Sequence, residues 1–188
     1  DGRPLRLETQ PLQQRRHRAV LRRAQADQRR QAEMGEGVPG QGDATFAPLL
    51  EEWDSALRIL KVETEPAVAL RGYVEARLRL GRKNALEARL FANEVVRGGT
   101  FLSAADRAHI AQSTAASIEV LEAWMAGKKI RRIDARHFLF MLWASTQFYA
   151  DYEPIVNAVL QVKKLTAVHY EQALECIVST VLAGVLLD

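Results

Sequence analysis

Phe140-Met-Leu-Trp-Ala-Ser-Thr-Gln-Phe-Tyr-Ala-Asp-Tyr152 is the stretch whose reading decides the fold. It belongs to a segment that opens at Asp134, a natural N-cap residue, and runs as a helix from Ala135 to about Tyr152. Apolar side chains at Phe138, Leu139, Phe140, Met141, Leu142 and Trp143 point in every direction around such a helix, so it must be covered on two sides. Ser145, Thr146 and Gln147 lie inside the same segment and, once buried, need hydrogen-bond partners from protein, water or a ligand. Helix–helix hydrogen bonding and ligand binding both satisfy that need, and the residues alone leave the choice open.

Upstream of this segment the apolar residues keep helical spacing. Phe46, Leu49, Leu50, Trp53, Leu57 and Leu60 form one amphipathic stripe. Pro66 suits the first turn of a second helix, with Leu70, Tyr73, Val74, Arg77 and Leu78 on one side. Asn84 opens a third, which carries Leu86, Leu90, Phe91 and Val95 and stops at Gly98-Gly99. Ser103, with Asp106 three residues on, caps a long fourth helix whose Ile110, Ser117, Ile118, Leu121, Trp124 and Met125 face inward until Gly127. No segment alternates with period two for long enough to be a strand. The class is all-α, with about six helices in residues 44–188.

Downstream, Thr166 or Ala167 begins a final helix containing Tyr170, Leu174, Ile177, Val178, Val181, Leu182 and Val185, without a charge in its second half before Asp188. So apolar a terminal helix predicts a partner surface. Two helices from each of two chains would meet about a two-fold axis, through Phe138, Leu142, Leu174, Ile177, Val178, Val181, Leu182 and Val185. The alternative is one larger monomeric core.

Length and composition bound what else is possible. A chain of 188 residues, 48% hydrophobic and 26% charged, is one globular domain or a domain with a small module. Its longest apolar run, Cys176 to Leu187, is twelve residues and includes Ser179 and Thr180, too short for a membrane span. Asp1-Gly2-Arg3-Pro4 has no apolar stretch behind it, so neither a signal peptide nor a membrane partner is expected. Cys176 is the single cysteine, which suits a reducing cytoplasm. The histidines, His17, His109, His137 and His169, have no ligand-type residue at metal spacing, so no metal is expected. Ser145 and Thr146 lack a nucleophile elbow, and no Gly-rich phosphate loop follows a strand. Neither a catalytic residue nor a cofactor is expected, and an enzyme is the least supported class.

The net charge of +3 is unevenly spread: residues 1–42 hold nine Arg, no Lys and five acids, so the excess basicity sits there. Those residues contain seven Gln but no Ile, Phe, Tyr or Trp, and keep no sustained apolar face. A basic segment ahead of a neutral helical domain points to nucleic acid on electrostatic grounds, although a solvated tail has the same count.

The run Leu142-Trp-Ala-Ser-Thr-Gln-Phe-Tyr-Ala-Asp151 resembles the dimer-helix signature of TetR-type repressors in the pyrimidine-utilisation (RutR) branch. Arg89-Leu-Phe-Ala-Asn-Glu-Val-Val-Arg-Gly-Gly99 is similar to that branch's Arg-Leu-Phe-x-x-Glu segment, and Ile118 to Met125, Gly127-Lys128 and Ile133-Asp134 match its long helix and following turn. The resemblance covers about residues 44–187, in order. It implies a homodimeric one-component regulator, most simply a repressor. A helix-turn-helix in residues 1–43 would bind operator DNA, and a pocket in the remaining helices would take a small-molecule effector, a pyrimidine in the relative named. It also implies a ligand site among Phe91, Asn93, Glu94, Trp124, Trp143, Thr146, Gln147 and Tyr149.

Residues 1–42 depart from the family, because its helix-turn-helix pattern is not legible there. The codons of Val38-Pro-Gly-Gln-Gly-Asp43, read from their second base, permit Phe-Pro-Gly-Lys, and removing one G restores Asp43-Ala44-Thr45-Phe46. That product is the family's join between its recognition helix and the next helix. The Arg-rich, Lys-free composition also suits a displaced frame of a GC-rich gene. The competing reading is a dimeric ligand-binding module that has a basic arm and lacks sequence-specific DNA recognition.

Overall fold

The computed structural model describes residues 43–100 and 102–187, with side chains from Pro48 onward. The helix-turn-helix expected over residues 1–42, and His17 with it, lies outside the described residues. Seven helices and no strand occur among those described: α1 (Asp43–Leu57), α2 (Pro66–Lys83), α3 (Ala85–Val96), α4 (Ala104–Ala126), α5 (Ala135–Asp151), α6 (Glu153–Leu160) and α7 (Ala167–Val185).

Helix α2 is the element on which the others pack, and it touches α1, α3, α5 and α7. Its stripe of Leu70, Tyr73, Val74, Arg77 and Leu78 is buried throughout, as the spacing predicts. Gly81 allows the close crossing with α5, since a Cβ there would lie 3.3 Å from the Cβ of Ala150. Asn84 ends α2 and starts α3, and its side-chain amide donates to Glu52 of α1, which also accepts from Lys83 Nζ at 2.7 Å. Three elements therefore meet at one residue.

Local chemistry fixes the helix ends. Ser103 and Asp106 form a reciprocal capping box at the start of α4. Asp134 accepts from the backbone N–H groups of Arg136 and His137, each at 3.0 Å. Gly98, at φ 109°, ends α3 in a Schellman motif: the Gly99 N–H reaches the Glu94 carbonyl and the Gly98 N–H reaches that of Val95. The same motif ends α4, but the left-handed residue is Lys128 (φ 54°), not the glycine beside it.

Two expectations need correction. The helix predicted to end near Tyr152 is followed by one more short helix of about two turns, α6. Tyr152 closes α5 and opens α6, Pro154 stands in its first turn, and Gln161 ends it at φ 56°. A Pro beside a helix end reads as a stop, and a left-handed Gln carries none of the signal of a Gly, so the extra helix was hidden.

The second correction concerns the surface assigned to a partner. Phe138, Leu142, Leu174, Val178, Val181 and Val185 are all buried within this chain, and Ile177 and Leu182 are half-buried against the same core. Helix α7 lays its apolar side on α2, an approach also held by the Arg71–Glu175 ion pair. Its C-terminal end is tied down where the Arg131 N–H donates to the Val185 carbonyl at 2.7 Å. What α7 leaves outside is a small-residue face of Cys176, Ser179, Thr180, Ala183 and Gly184. Helix α5 likewise buries Phe138, Leu139 and Leu142 but leaves Phe140 and Met141 50% and 48% exposed. The apolar content of α7 is thus satisfied inside one chain and by itself demands no partner.

Leu139 and Leu142 are fully buried between these layers. Leu139→Ala is expected to lower the unfolding free energy by about 2–5 kcal/mol, the range for an unfilled leucine-sized hole, measured by urea titration.

Candidate functional site

A cavity of about 610 Å³ lies among α1, α2, α3, α4 and α5. It stays open because α3 turns small residues inward: Ala88 and Ala92 line it, while Leu86 and Leu90 point outward and are exposed. Large rings stand around the space instead of filling it. Trp53 and Phe91 meet edge to face at 4.9 Å, and Trp143, Phe148 and Tyr152 of α5 and its C-cap form the opposite wall. Leu50, Val95 and Ile110 complete a mostly apolar lining.

The polar exceptions are concentrated. Arg77 enters the cavity from the buried stripe of α2, 7% exposed, with its guanidinium 5.0 Å from the centre of the Trp53 ring. Its Nη2 donates to Gln147 Oε1 at 3.0 Å, and Gln147 Nε2 donates to Asp151 Oδ1 at 3.0 Å. Gln147 therefore relays between a cation and a carboxylate that do not touch. Among the described residues Arg77 Nε has no hydrogen-bond partner, nor has the hydroxyl of Tyr73, one turn earlier on α2. The Trp143 indole stands beside that hydroxyl but can only donate, so the Tyr73 proton is left without an acceptor.

Burial sets the titration of all three groups. It pulls the Arg77 pKa down, opposed by Tyr73 and Asp151, although a guanidinium remains charged. Burial also pushes the Tyr73 hydroxyl up, with the charge of Arg77 pulling against it. The Asp151 carboxyl is raised by burial, and the Gln147 hydrogen bond and the charges of Arg77 and Arg89 only partly offset this. At the cavity's other edge Asp54 is paired with His109 of α4.

Of the residues expected at a ligand site, Phe91, Trp143 and Gln147 line this cavity. The other five lie elsewhere. Asn93 is exposed on α3, and Glu94 is held by Arg97 at 3.1 Å. Trp124 is fully buried in the core, with its indole N–H donating to the Val62 carbonyl at 3.3 Å. Thr146 donates to the Leu142 carbonyl of its own helix at 2.8 Å, and Tyr149 packs on Tyr170 of α7. The helical period explains the split: Trp143 and Gln147 are four residues apart on one face of α5, whereas Leu142, Thr146 and Tyr149 share another. Arg77, Tyr73, Trp53 and Asp151 were not singled out as site residues. The available signal was a charged residue on an otherwise apolar stripe, which must find a partner or a purpose.

Nothing in the lining has the geometry of an activated nucleophile. The Ser113 and Thr114 hydroxyls both donate to the Ile110 carbonyl of their own helix. His137 is exposed at the start of α5, His169 serves in the Thr166 cap, and Cys176 is exposed on α7. Among the described residues no cluster of three or more His, Cys, Asp or Glu could hold a metal ion.

Residues 46–188 match the family model described as YcdC-like protein, C-terminal region. The HTH-type transcriptional regulators RutR of Escherichia coli strain K12, Escherichia coli O157:H7 and Shigella flexneri are each 27% identical to the chain over 142 residues. Those matches cover 76% of this chain and 67% of each relative.

The Asp151 carboxyl supplies a pH test. A carboxyl whose pKa is raised on folding makes the native state bind more protons, so stability falls as pH rises through the carboxylate range. Asp151→Asn removes that loss. Its stability advantage over wild type, from urea midpoints, should be absent at acid pH, grow through the carboxylate range and level off at neutral pH.

Proposed function

The chain belongs to the TetR family of transcription regulators, which are not enzymes, and from that premise we propose that it is a homodimeric repressor whose hold on operator DNA is set by a small-molecule effector. The observation that carries the effector half is the cavity itself, with two buried donor groups, on Arg77 and Tyr73, awaiting an acceptor. Helix α1 forms one wall through Leu50, Trp53 and Asp54 and continues directly from the basic residues 1–42. An effector that favours one position of α1 over another shifts the spacing of two operator-reading heads, and it acts only through that difference in affinity. The heads must stand about one DNA turn apart, ~34 Å, or a multiple of it. Such a protein works in the cytoplasm, and no described helix is long and apolar enough to cross a membrane.

The proposed dimer uses the outward faces of α5 and α7: Phe140 and Met141 on one, Cys176, Thr180, Ala183 and Gly184 on the other. Small residues on α7 permit close helix approach, and the exposed Phe140 and Met141 supply apolar area. These positions replace the inward ones expected from the sequence. In sedimentation equilibrium at micromolar concentration the wild type should run at twice the 21.1 kDa chain mass. Thr180→Glu should yield a folded monomer, whereas Val181→Glu, on the buried side, should unfold the chain. A wild-type monomer would sink the dimer.

Operator binding is tested by mobility shift against the gene's own upstream DNA with salt titration. Specific binding survives competitor DNA, and release by an effector raises the protein needed for half-shift. Binding to any duplex with equal affinity, lost steeply with salt, would instead identify a basic arm on a dimeric ligand-binding module.

A further inference from the structure

We infer that the effector is an amphipathic monocarboxylate: an aromatic or acyl body in the apolar cavity, its carboxylate on Arg77 and Tyr73. This deepens the effector reading above and rests on it. Three features point to this chemistry. Among the described residues that line the cavity, two buried polar groups have no acceptor, Arg77 Nε and the Tyr73 hydroxyl; both donate and stand one helical turn apart on the same face of α2. Among the described residues the Arg77 guanidinium donates to the neutral oxygen of Gln147, and no described carboxylate hydrogen-bonds to it. An arriving carboxylate supplies both the missing acceptors and the missing counter-charge, and guanidinium binds that group with matched geometry.

The body of the ligand follows from the walls. Trp53, Phe91, Trp143 and Phe148 offer ring surfaces, and the hydroxyls of Ser113 and Thr114 are turned back on their own helix. A lone pyrimidine such as uracil, with polar atoms along most of its edge, would leave most of the 610 Å³ empty and much of that edge facing apolar side chains. Asp151 and Asp54 are the acids at the cavity. Asp54 is engaged by His109, and Asp151 by Gln147, whose amide lies between Asp151 and Arg77. Asp151 nevertheless repels an anion, so its removal should tighten carboxylate binding and leave a neutral ligand unaffected.

The test is calorimetric titration of the full chain with decanoate and naphthalene carboxylate, each beside its neutral carboxamide, and with uracil. The carboxylates should bind saturably and roughly tenfold or more tighter than their amides, the margin of a charge-assisted hydrogen bond. Tyr73→Phe, which keeps the ring packing, should erase about that margin for the carboxylates only, and Asp151→Asn should increase it. Arg77→Lys should weaken the carboxylates even if folded, because an ammonium cannot reproduce the fork. If the amides bind as tightly as the acids, or if Tyr73→Phe changes nothing, the carboxylate assignment is overturned while the effector cavity stands. Uracil binding in place of the acids overturns it in the same way. No binding by any compound overturns the cavity's effector role as well.

Discussion

Arg77 puts a charge on the inward stripe of α2, the helix against which α1, α3, α5 and α7 are all laid. A buried guanidinium with few partners opposes folding, and simple packing would favour a Leu or Met there. The chain offsets this cost in three small ways, with the ring of Trp53 on one side, the Gln147 oxygen on another, and Asp151 one residue further away in the relay. Every one of these partners comes from an element that borders the cavity. The constraint on Arg77 thus holds α1 and α5 in register with α2, and it leaves donor capacity unused at the same place. In the proposed reading, stability and ligand recognition draw on one group.

The close crossing of α2 and α5 serves the same end. Gly81 and Ala150 let the two backbones approach near their paired ends, and Gln147, one turn before Ala150, then reaches across to Arg77. Away from that contact, the small Ala88 and Ala92 of α3 leave space unfilled between the layers, and that space is the cavity. A larger side chain at Ala88 or Ala92 would close it without harming the α2–α5 crossing.

Much of this was legible before the structure, and the failures have physical causes. Helix existence followed from period 3.6, and Ser103, Asp134 and Thr166 each marked a start because a side-chain acceptor ahead of an apolar run has few other uses. Gly98-Gly99 marked an end for the complementary reason. Lys128 and Gln161 adopt the same left-handed conformation without the residue that announces it, so α6 passed unseen. Site residues were harder. Proximity in sequence suggested that Thr146, Gln147 and Tyr149 act together, yet a helix sends neighbours in different directions, and only Gln147 meets the cavity. Tyr73 and Arg77, remote in sequence from that run, were placed correctly on the buried stripe, but their unfilled donors are visible only in three dimensions.

Helix α5 explains why an apolar count placed a partner surface on side chains that a single chain buries. Its hydrophobicity all round resolves into three faces, each with a different occupant. Phe138, Leu139 and Leu142 meet the core, Trp143 and Gln147 meet the cavity, and Phe140 and Met141 stay half exposed, with the Phe140 ring against His137 and Trp143 of its own helix. The residues assigned to a partner were the largest and most apolar in α5 and α7, and those are the ones a single chain buries first. What remains for a partner is smaller and less conspicuous, as Ser179, Thr180, Ala183 and Gly184 show on α7. Because one rigid helix carries both the cavity face and the outward face, a ligand that rotates α5 by drawing on Gln147 also turns Phe140 and Met141. Under the proposed effector and dimer roles, coupling between the two needs no chain of intermediaries, only the stiffness of a single helix.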